Sequence, residues 1–377
     1  MSVRLSTILA ECRDAGLVID GIDGDAALND PAIERIAAVQ TCGSGDLVFA
    51  DSVVLFETAL ERKPVVIIAS RKLKARAENA VDTLVLFTPT VSLAHAFIKQ
   101  RHGNRDFTRA GWEGPIHPSA VVHETALLDP SVVVEPKAVI GRGAKIGARS
   151  RIMAGAVIEH DAKIGADTVV HPASVIGYGC RIGNDCVIGP GSIIGAEGFG
   201  FAQDSKGRSY PIPQTGIVVL EDRVRLGASN CIDRATYGET RIGAGTKFDN
   251  LCHVAHNVQI GEDCLLTAMF CVAGSSKIGN RVMASGQTGI IDHITICDGA
   301  VLVHRAGVVK DIDSPGAYAG LPTQPLDEYL KNTAAFRKGA ELRKRVAALE
   351  STKETVPPAV SHTDGQPTAG AGSTPTA

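Results

Sequence analysis

The sequence predicts a parallel β-helix of triangular section, preceded by a small α/β domain and followed by a helical extension. Three observations carry this. From Ile116 an aliphatic residue recurs every sixth position through Val122, Leu128, Val134, Ile140, Ile146, Ile152, Ile158, Ile164, Val170, Ile176, Ile182, Ile188 and Ile194. Glycine follows many of these rungs directly, as at Gly141, Gly147, Gly165, Gly177, Gly183, Gly189 and Gly195. Residues before about 112 and after 314 do not share the period. A period of six fits neither a helix nor a simple alternating strand, but it suits a short strand followed by a tight turn. Each hexad then forms one side of a prism, with the aliphatic residue inward and the small residue taking a turn conformation that a Cβ disfavours. Three hexads close a coil, so residues eighteen apart stack.

Taken in order, residues 1–112 alternate apolar β-rich runs (Asp46 to Ala50, Pro64 to Ala69, Thr83 to Phe87) with helix-like stretches (Ser6 to Ala15, Ser92 to Gln100). This reads as an α/β domain. Arg105 to Pro115, with the single tryptophan Trp112, marks the junction. The ladder occupies 113–314. It breaks after Ile194 into a polar, glycine-rich excursion loop over 195–217 that carries Phe199, Phe201 and Tyr210 in a chain only 4% aromatic. A loop of that length inside a compact fold is usually functional or disordered, and its rings can stack on a base, cover a pocket or pack onto the ladder. The period resumes at Leu220, Leu226 and Ile232. A four-residue excess around Ala235 to Glu239 shifts it to Ile242, and it then runs to Leu302. The solenoid should hold about ten coils, on the order of 50 Å at a strand spacing of about 4.8 Å. Residues 315–350 read as a cap and an amphipathic helix or helix pair, and 351–377 as a disordered tail.

A formal charge of −3 argues against nucleic acid as a partner. The nine cysteines include no CxxC, and Cys180, Cys186, Cys252 and Cys264 each fall two residues before a rung, as small wall residues would. The N-terminus is interrupted by charge and shows no signal-peptide or membrane-spanning stretch, so the expectation is a cytoplasmic, reduced protein without stable membrane insertion.

The chemistry is expected where histidines meet the coil arithmetic. His256 lies two residues past the rung Val254, Gly274 is eighteen residues on, and Asp292 eighteen beyond that, beside His293. One column therefore offers an imidazole, a glycine amide and a second imidazole one residue off register. An imidazole can take a proton from an attacking amine or hydroxyl, and a glycine amide can donate to a developing oxyanion. Asp249 and Asn250 lie about one hexad earlier, on the adjoining face, where they could orient His256 or bind substrate, directly or across a subunit boundary. Zinc held between subunits by His253, His256 and His293 is an alternative, although no thiolate pair or regular three-histidine spacing supports it.

Several stretches carry a more specific resemblance: Gly198-Phe-Gly-Phe-Ala202, Ile212-Pro-Gln214, Cys231-Ile-Asp-Arg234, Asp249-Asn250 with Ala255-His-Asn-Val258, Ala273-Gly-Ser275, His293 to Asp298, and Gly320-Leu-Pro322. Over about residues 5–345 the chain resembles the UDP-3-O-acylglucosamine N-acyltransferases of lipid A biosynthesis, members of the left-handed β-helix acyltransferases. The resemblance implies transfer of a 3-hydroxyacyl chain from acyl carrier protein to the 2-amino group of a UDP-sugar. His256 would be the general base, His293 the second histidine, Gly274 the oxyanion donor and Asp249 the acidic partner of the base, with Asn250, Phe199 and Phe201 at the substrate. It implies a homotrimer with sites between prisms, no metal, and no cofactor beyond the phosphopantetheine of the carrier protein. The N-terminal domain would bind uridine, with Phe49 as one of the rings that hold uracil. The family's Asn-Pro-x-Tyr reads here as Ser52-Val-Val-Leu55, so its tyrosine is absent and Phe56 is the candidate substitute. Lys331, Arg337, Lys338, Arg343, Lys344 and Arg345 form a basic cluster suited to an acidic carrier protein, or simply a solvated helix face. Other readings are a related hexapeptide acyltransferase with another nucleotide-sugar acceptor or an acetyl-CoA donor, a γ-type zinc hydratase, and a non-catalytic scaffold. The scaffold predicts unbroken hexads, which this chain lacks.

Overall fold

A computed structural model describes residues 2–21, 30–80, 82–103, 111–112 and 114–353. The expected tail from 354 onward and part of the expected junction, 104–110 and 113, lie outside the described residues. The chain divides into two compact units, 1–109 and 110–377.

In the first unit, strands Arg35–Ile36, Asp46–Ala50, Val66–Ser70 and Leu84–Thr88 form a four-stranded parallel sheet in sequence order. Alternation along each strand supplies two cores. Val48, Ala50, Ile67, Ala69, Val85 and Phe87 pack with Phe56 and Ala59 of helix Val53–Arg62, while Leu47, Val66, Ile68 and Leu86 pack with helices Leu5–Asp14 and Val91–His102. The sequence reading foresaw the three longer strands and the two outer helices, but neither the short strand Arg35–Ile36 nor helix Val53–Arg62. Its start is set by Ser52, whose hydroxyl accepts from the Leu55 N–H at 3.4 Å. That helix corrects the expectation for Phe56, which is fully buried in the core and offers no ring face to a ligand.

The second unit is the ladder. Its strands stack into three sheets of ten, nine and eleven strands, parallel except for the closing strand Gln324–Pro325. Residues eighteen apart pair directly, as Val139 with Val157 and Ile140 with Ile158. Across the excursion the pairing continues with Ile194 on Ile232, and across the four-residue excess with Ile232 on Val254. The insertions therefore bulge outward and leave the stack in register. Every rung from Val134 to Leu302 is buried, and Val308 adds one more. Cys180, Cys186, Cys252 and Cys264 line the same wall. Burial pushes the Cys186 and Cys252 thiols up to about 11, which keeps them protonated wall residues.

The glycines after the rungs serve a purpose the sequence reading did not assign. The left-handed residue of each turn sits three places after the rung and is usually not glycine, as at Arg149, Asp161, Asp167, Asn257 and His293. The glycine directly after the rung is set by coil-to-coil approach: a Cβ on Gly141 would lie 2.7 Å from the His160 nitrogen, and one on Gly147 2.7 Å from the Gly165 carbonyl carbon. Such contacts are shorter than van der Waals separation, so stacking distance, not backbone conformation, selects glycine there.

The last coil is closed by Ala317–Ala319, which pairs with Val301–Val303, and by Gln324–Pro325 folding back on it. Helices Leu326–Arg337 and Gly339–Lys353 follow. Leu330, Phe336, Leu342 and Leu349 are exposed on them. No helix among the described residues is long and apolar enough to cross a membrane.

Candidate active site

His256 occupies the turn after strand His253–Val254, on the edge where the ten-stranded sheet hands over to the nine-stranded one. Its ring lies over the next coil, where a Cβ on Gly274 would fall 2.6 Å from Cε1 and 2.7 Å from Nε2. Only glycine at 274 lets the imidazole take this position. From the other side Gly198, at the foot of the excursion, approaches so closely that its Cβ would stand 2.8 Å from the His256 Cβ.

The neighbouring Asn257 orients the ring. Its Oδ1 accepts from the Thr236 N–H at 3.0 Å and lies 3.3 Å from His256 Nδ1. Its Nδ2 donates to the Tyr237 carbonyl at 3.0 Å. Because Oδ1 is an acceptor, the proton of a neutral His256 belongs on Nδ1, leaving the Nε2 lone pair free as a base. The four-residue excess at 235–239 thus has a use: it brings Thr236 and Tyr237 to the side chain that sets the tautomer. The Gly274 N–H makes no hydrogen bond among the described residues and is available to an oxyanion. His293 lies one coil further. Its backbone N–H donates to the Gly274 carbonyl at 3.1 Å, and its exposed ring stands 3.9 Å from the Asp292 carboxylate.

Asp249 and Asn250 occupy a different edge of the prism, after strand Lys247–Phe248 of the eleven-stranded sheet. The Asn250 N–H and Nδ2 donate to Asp249 Oδ1 at 2.8 and 3.0 Å, and the Ala268 N–H donates to Oδ2 at 3.2 Å. Asn250 Oδ1 accepts from the Ala228 N–H at 2.6 Å. Within one chain these two residues brace a corner, and Asn257 is the residue that meets the His256 ring.

The excursion forms a two-stranded antiparallel hairpin, Phe201–Gln203 with Ser209–Pro211. Asp204 ties its turn by accepting from the Lys206 and Arg208 N–H groups and from Arg208 Nε. Phe199 and Phe201 contact each other at 4.9 Å between ring centroids and remain 83% and 48% exposed, so they do not pack the loop onto the ladder. They line a cavity of about 560 Å³ with Ile212, Asp233 and His253.

The sequence reading includes Asp233 and Arg234 within the stretch Cys231 to Arg234 but gives neither a role. Arg234 is buried and clamps both ends of the hairpin, donating to the carbonyls of Gly195 at 2.9 Å, Gly216 at 3.2 Å and Tyr178 at 3.3 Å, with its guanidinium 3.5 Å over the Tyr178 ring. Asp233 is 5% exposed and faces His253, with His256 also close enough to lower its pKa; burial dominates and pushes the carboxyl up. The signal for both was their place in the stretch Cys231-Ile-Asp-Arg234, immediately before the four-residue excess. His256 and His293 do not join His253 in a three-donor cluster within the chain; among the described residues that cluster is Cys231, Asp233 and His253.

In the first unit Phe49 is half-buried and stacks on His95, centroids 4.4 Å apart at 27°.

A family model described as the GMPPB C-terminal domain matches residues 113–199, the regular part of the ladder. Among solved structures, the Arabidopsis UDP-N-acetylglucosamine acyltransferase superposes with a TM-score of 0.51 at 22% identity, covering 65% of this chain and 86% of that one. That likeness establishes the left-handed β-helix. The UDP-3-O-acylglucosamine N-acyltransferase of Methylococcus capsulatus is 45% identical over 350 residues, 93% of this chain and 97% of that protein. The enzyme of the same name from Caulobacter sp. is 40% identical over 146 residues, 39% of this chain and 43% of its own length. Fold, cleft and relatives together define a hexapeptide-repeat acyltransferase. Within that class, the chain belongs to the UDP-3-O-acylglucosamine N-acyltransferase family.

Proposed function

We propose that the protein moves a 3-hydroxyacyl chain from acyl carrier protein to the 2-amino group of a UDP-3-O-acylglucosamine in lipid A biosynthesis. The observation that carries the reading is the His256 ring seated over Gly274 with its Nδ1 tied to Asn257. The amine attacks the thioester carbonyl as His256 Nε2 takes its proton. The Gly274 N–H donates to the oxyanion of the tetrahedral intermediate, which collapses to the amide. His256 returns the proton to the departing phosphopantetheine thiol, so the base is regenerated and no metal is required. His293, one coil away and exposed, assists at the incoming thioester.

Asp249 and Asn250 stand on another edge of the same prism, so their part in the reaction is played toward a neighbouring copy in a homotrimer. Phe199 and Phe201 present open ring faces beside the cleft for the substrate. Phe49, backed by His95, is the uracil platform that remains once Phe56 is committed to the core. The basic residues between Lys331 and Arg345 suit the acidic surface of a carrier protein.

The test offers the purified protein UDP-3-O-acylglucosamine with 3-hydroxyacyl carrier protein and follows N-acylation by mass spectrometry. His256→Ala should lose about 10²–10⁴-fold in turnover with unchanged circular dichroism. Turnover at the wild-type level in that variant sinks the general-base assignment; acylation of a hydroxyl in place of the amine overturns the substrate.

A further inference from the structure

We propose that Cys231, Asp233 and His253 form a binding site for a borderline-soft divalent ion of the zinc class, at the foot of the excursion hairpin, whose occupancy slows acyl transfer. The three donors, a thiol, a carboxylate and an imidazole, lie within 4.8 Å of one another. His253 Nε2 is 3.7 Å from Asp233 Oδ2, and Cys231 Sγ is 3.8 Å from Asp233 Oδ1. Tetrahedral zinc, with bonds of roughly 2.0–2.3 Å to such atoms, separates its donors by roughly 3.3–3.5 Å. A contraction of a few tenths of an ångström along each measured edge brings the atoms to that separation.

A second observation points to a cation. Asp233 is almost fully buried, yet among the described residues no N–H or O–H group donates to it; its one hydrogen bond comes from the Cys231 thiol, a weak donor. A buried carboxylate so placed is costly unless a charge or a strong donor meets it. The backbone holds the donors ready, since Cys231 and His253 are paired residues on adjacent strands fixed by the inward rungs Ile232 and Val254. Thiolate, imidazole and carboxylate together select zinc or cobalt over magnesium or calcium. Three protein ligands beside the cavity bounded by Phe199, Phe201 and Ile212 leave a fourth position open to exchange.

Binding releases the Cys231 proton and requires neutral His253, so affinity rises with pH. It also takes up the negative charge of Asp233: a divalent ion bound by a thiolate, a carboxylate and a neutral imidazole is net neutral, so the carboxylate near His256 is no longer there to offset a positive charge. His256 must become cationic to act as a base, so the metal opposes turnover. This second half rests on the function proposed above; the metal site itself does not.

Cobalt titrated into the full-length, chelator-treated protein should give one equivalent of a thiolate-to-metal charge-transfer band that zinc displaces. Cys231→Ser should abolish the band and Cys271→Ser, at an exposed thiol outside the cluster, should keep it. His253→Gln should weaken binding by at least about tenfold, with thermal melts showing that each variant is folded. A band that survives Cys231→Ser, or no band in the folded wild type, overturns the site. In the acylation assay, zinc should inhibit the wild type and spare Cys231→Ser, whose metal-free turnover is unchanged. Metal binding without inhibition overturns the regulatory half, while a protein that binds cobalt but acylates no UDP-sugar refutes the proposed function and leaves the site standing.

Discussion

The coils before the excursion and those after it use the same scaffold for different ends. On the outer face of the ten-stranded sheet, the residue preceding each rung reads Val121, Val139, Val157, Val175 and Ile193 in the first half, then Cys231, His253, Cys271, Gly289 and Gly307 in the second. The inward rungs hardly change across this boundary, from Ile194 to Ile232 to Val254. A solenoid stabilised by nearest-neighbour stacking can alter its outer column while the core continues. The residues of the proposed site therefore lie at outward and turn positions, next to the two places where the period fails.

Substitutions on either side of that boundary should separate stability from activity. Ile158→Ala, in the plain half, should cost about 3 kcal/mol of unfolding free energy, read by denaturant titration, with kcat unchanged. An equal loss of activity would show that the halves are not independent. Gly274→Ala, in the working half, should do the reverse. The added methyl displaces the His256 ring, and a displacement near 1 Å lowers turnover by about 100-fold while the melt barely moves.

Asn257→Ala should lower turnover by about tenfold, the scale on which a base loses its orienting partner. The pH profile should change with it, because either His256 tautomer then becomes accessible; a uniform drop at all pH values would mark Asn257 as a brace only. The smallest effect belongs to Lys163→Ser, at an exposed position of the plain half, which should shift stability by less than about 0.5 kcal/mol and leave kcat unchanged.

Much of the ladder was legible because its signal is periodic and local. The buried aliphatic column and the rungs on either side of each break follow from spacing that any reader of the chain can count, while the pairing across the breaks is seen in the structure. The pairing of His256 with Gly274 was legible for the same reason, since both sit two residues past a rung and eighteen apart. Helix Val53–Arg62 was not legible, because its apolar start Val53-Val54-Leu55-Phe56 reads as strand, and its cap and the burial of Phe56 against the sheet overrule that propensity. The resemblance makes Asp249 the acidic partner of His256, and the spacing already puts it about one hexad earlier on the adjoining face; within one chain the residue that meets the ring is Asn257, adjacent in sequence.

The sequence by itself determined the repeat, the coil count and the column that holds His256 and Gly274, since a six-residue period with an inward aliphatic has one way to bury its core. Only the tertiary structure decided which groups meet across insertions. The Arg234 guanidinium clamps Gly195 and Gly216, Thr236 fixes the acceptor on Asn257, and Asp233 comes to face Cys231 and His253. These contacts depend on how each irregular excursion folds back onto the stack, and the geometry of a loop comes from the bonds it closes, not from the period it interrupts.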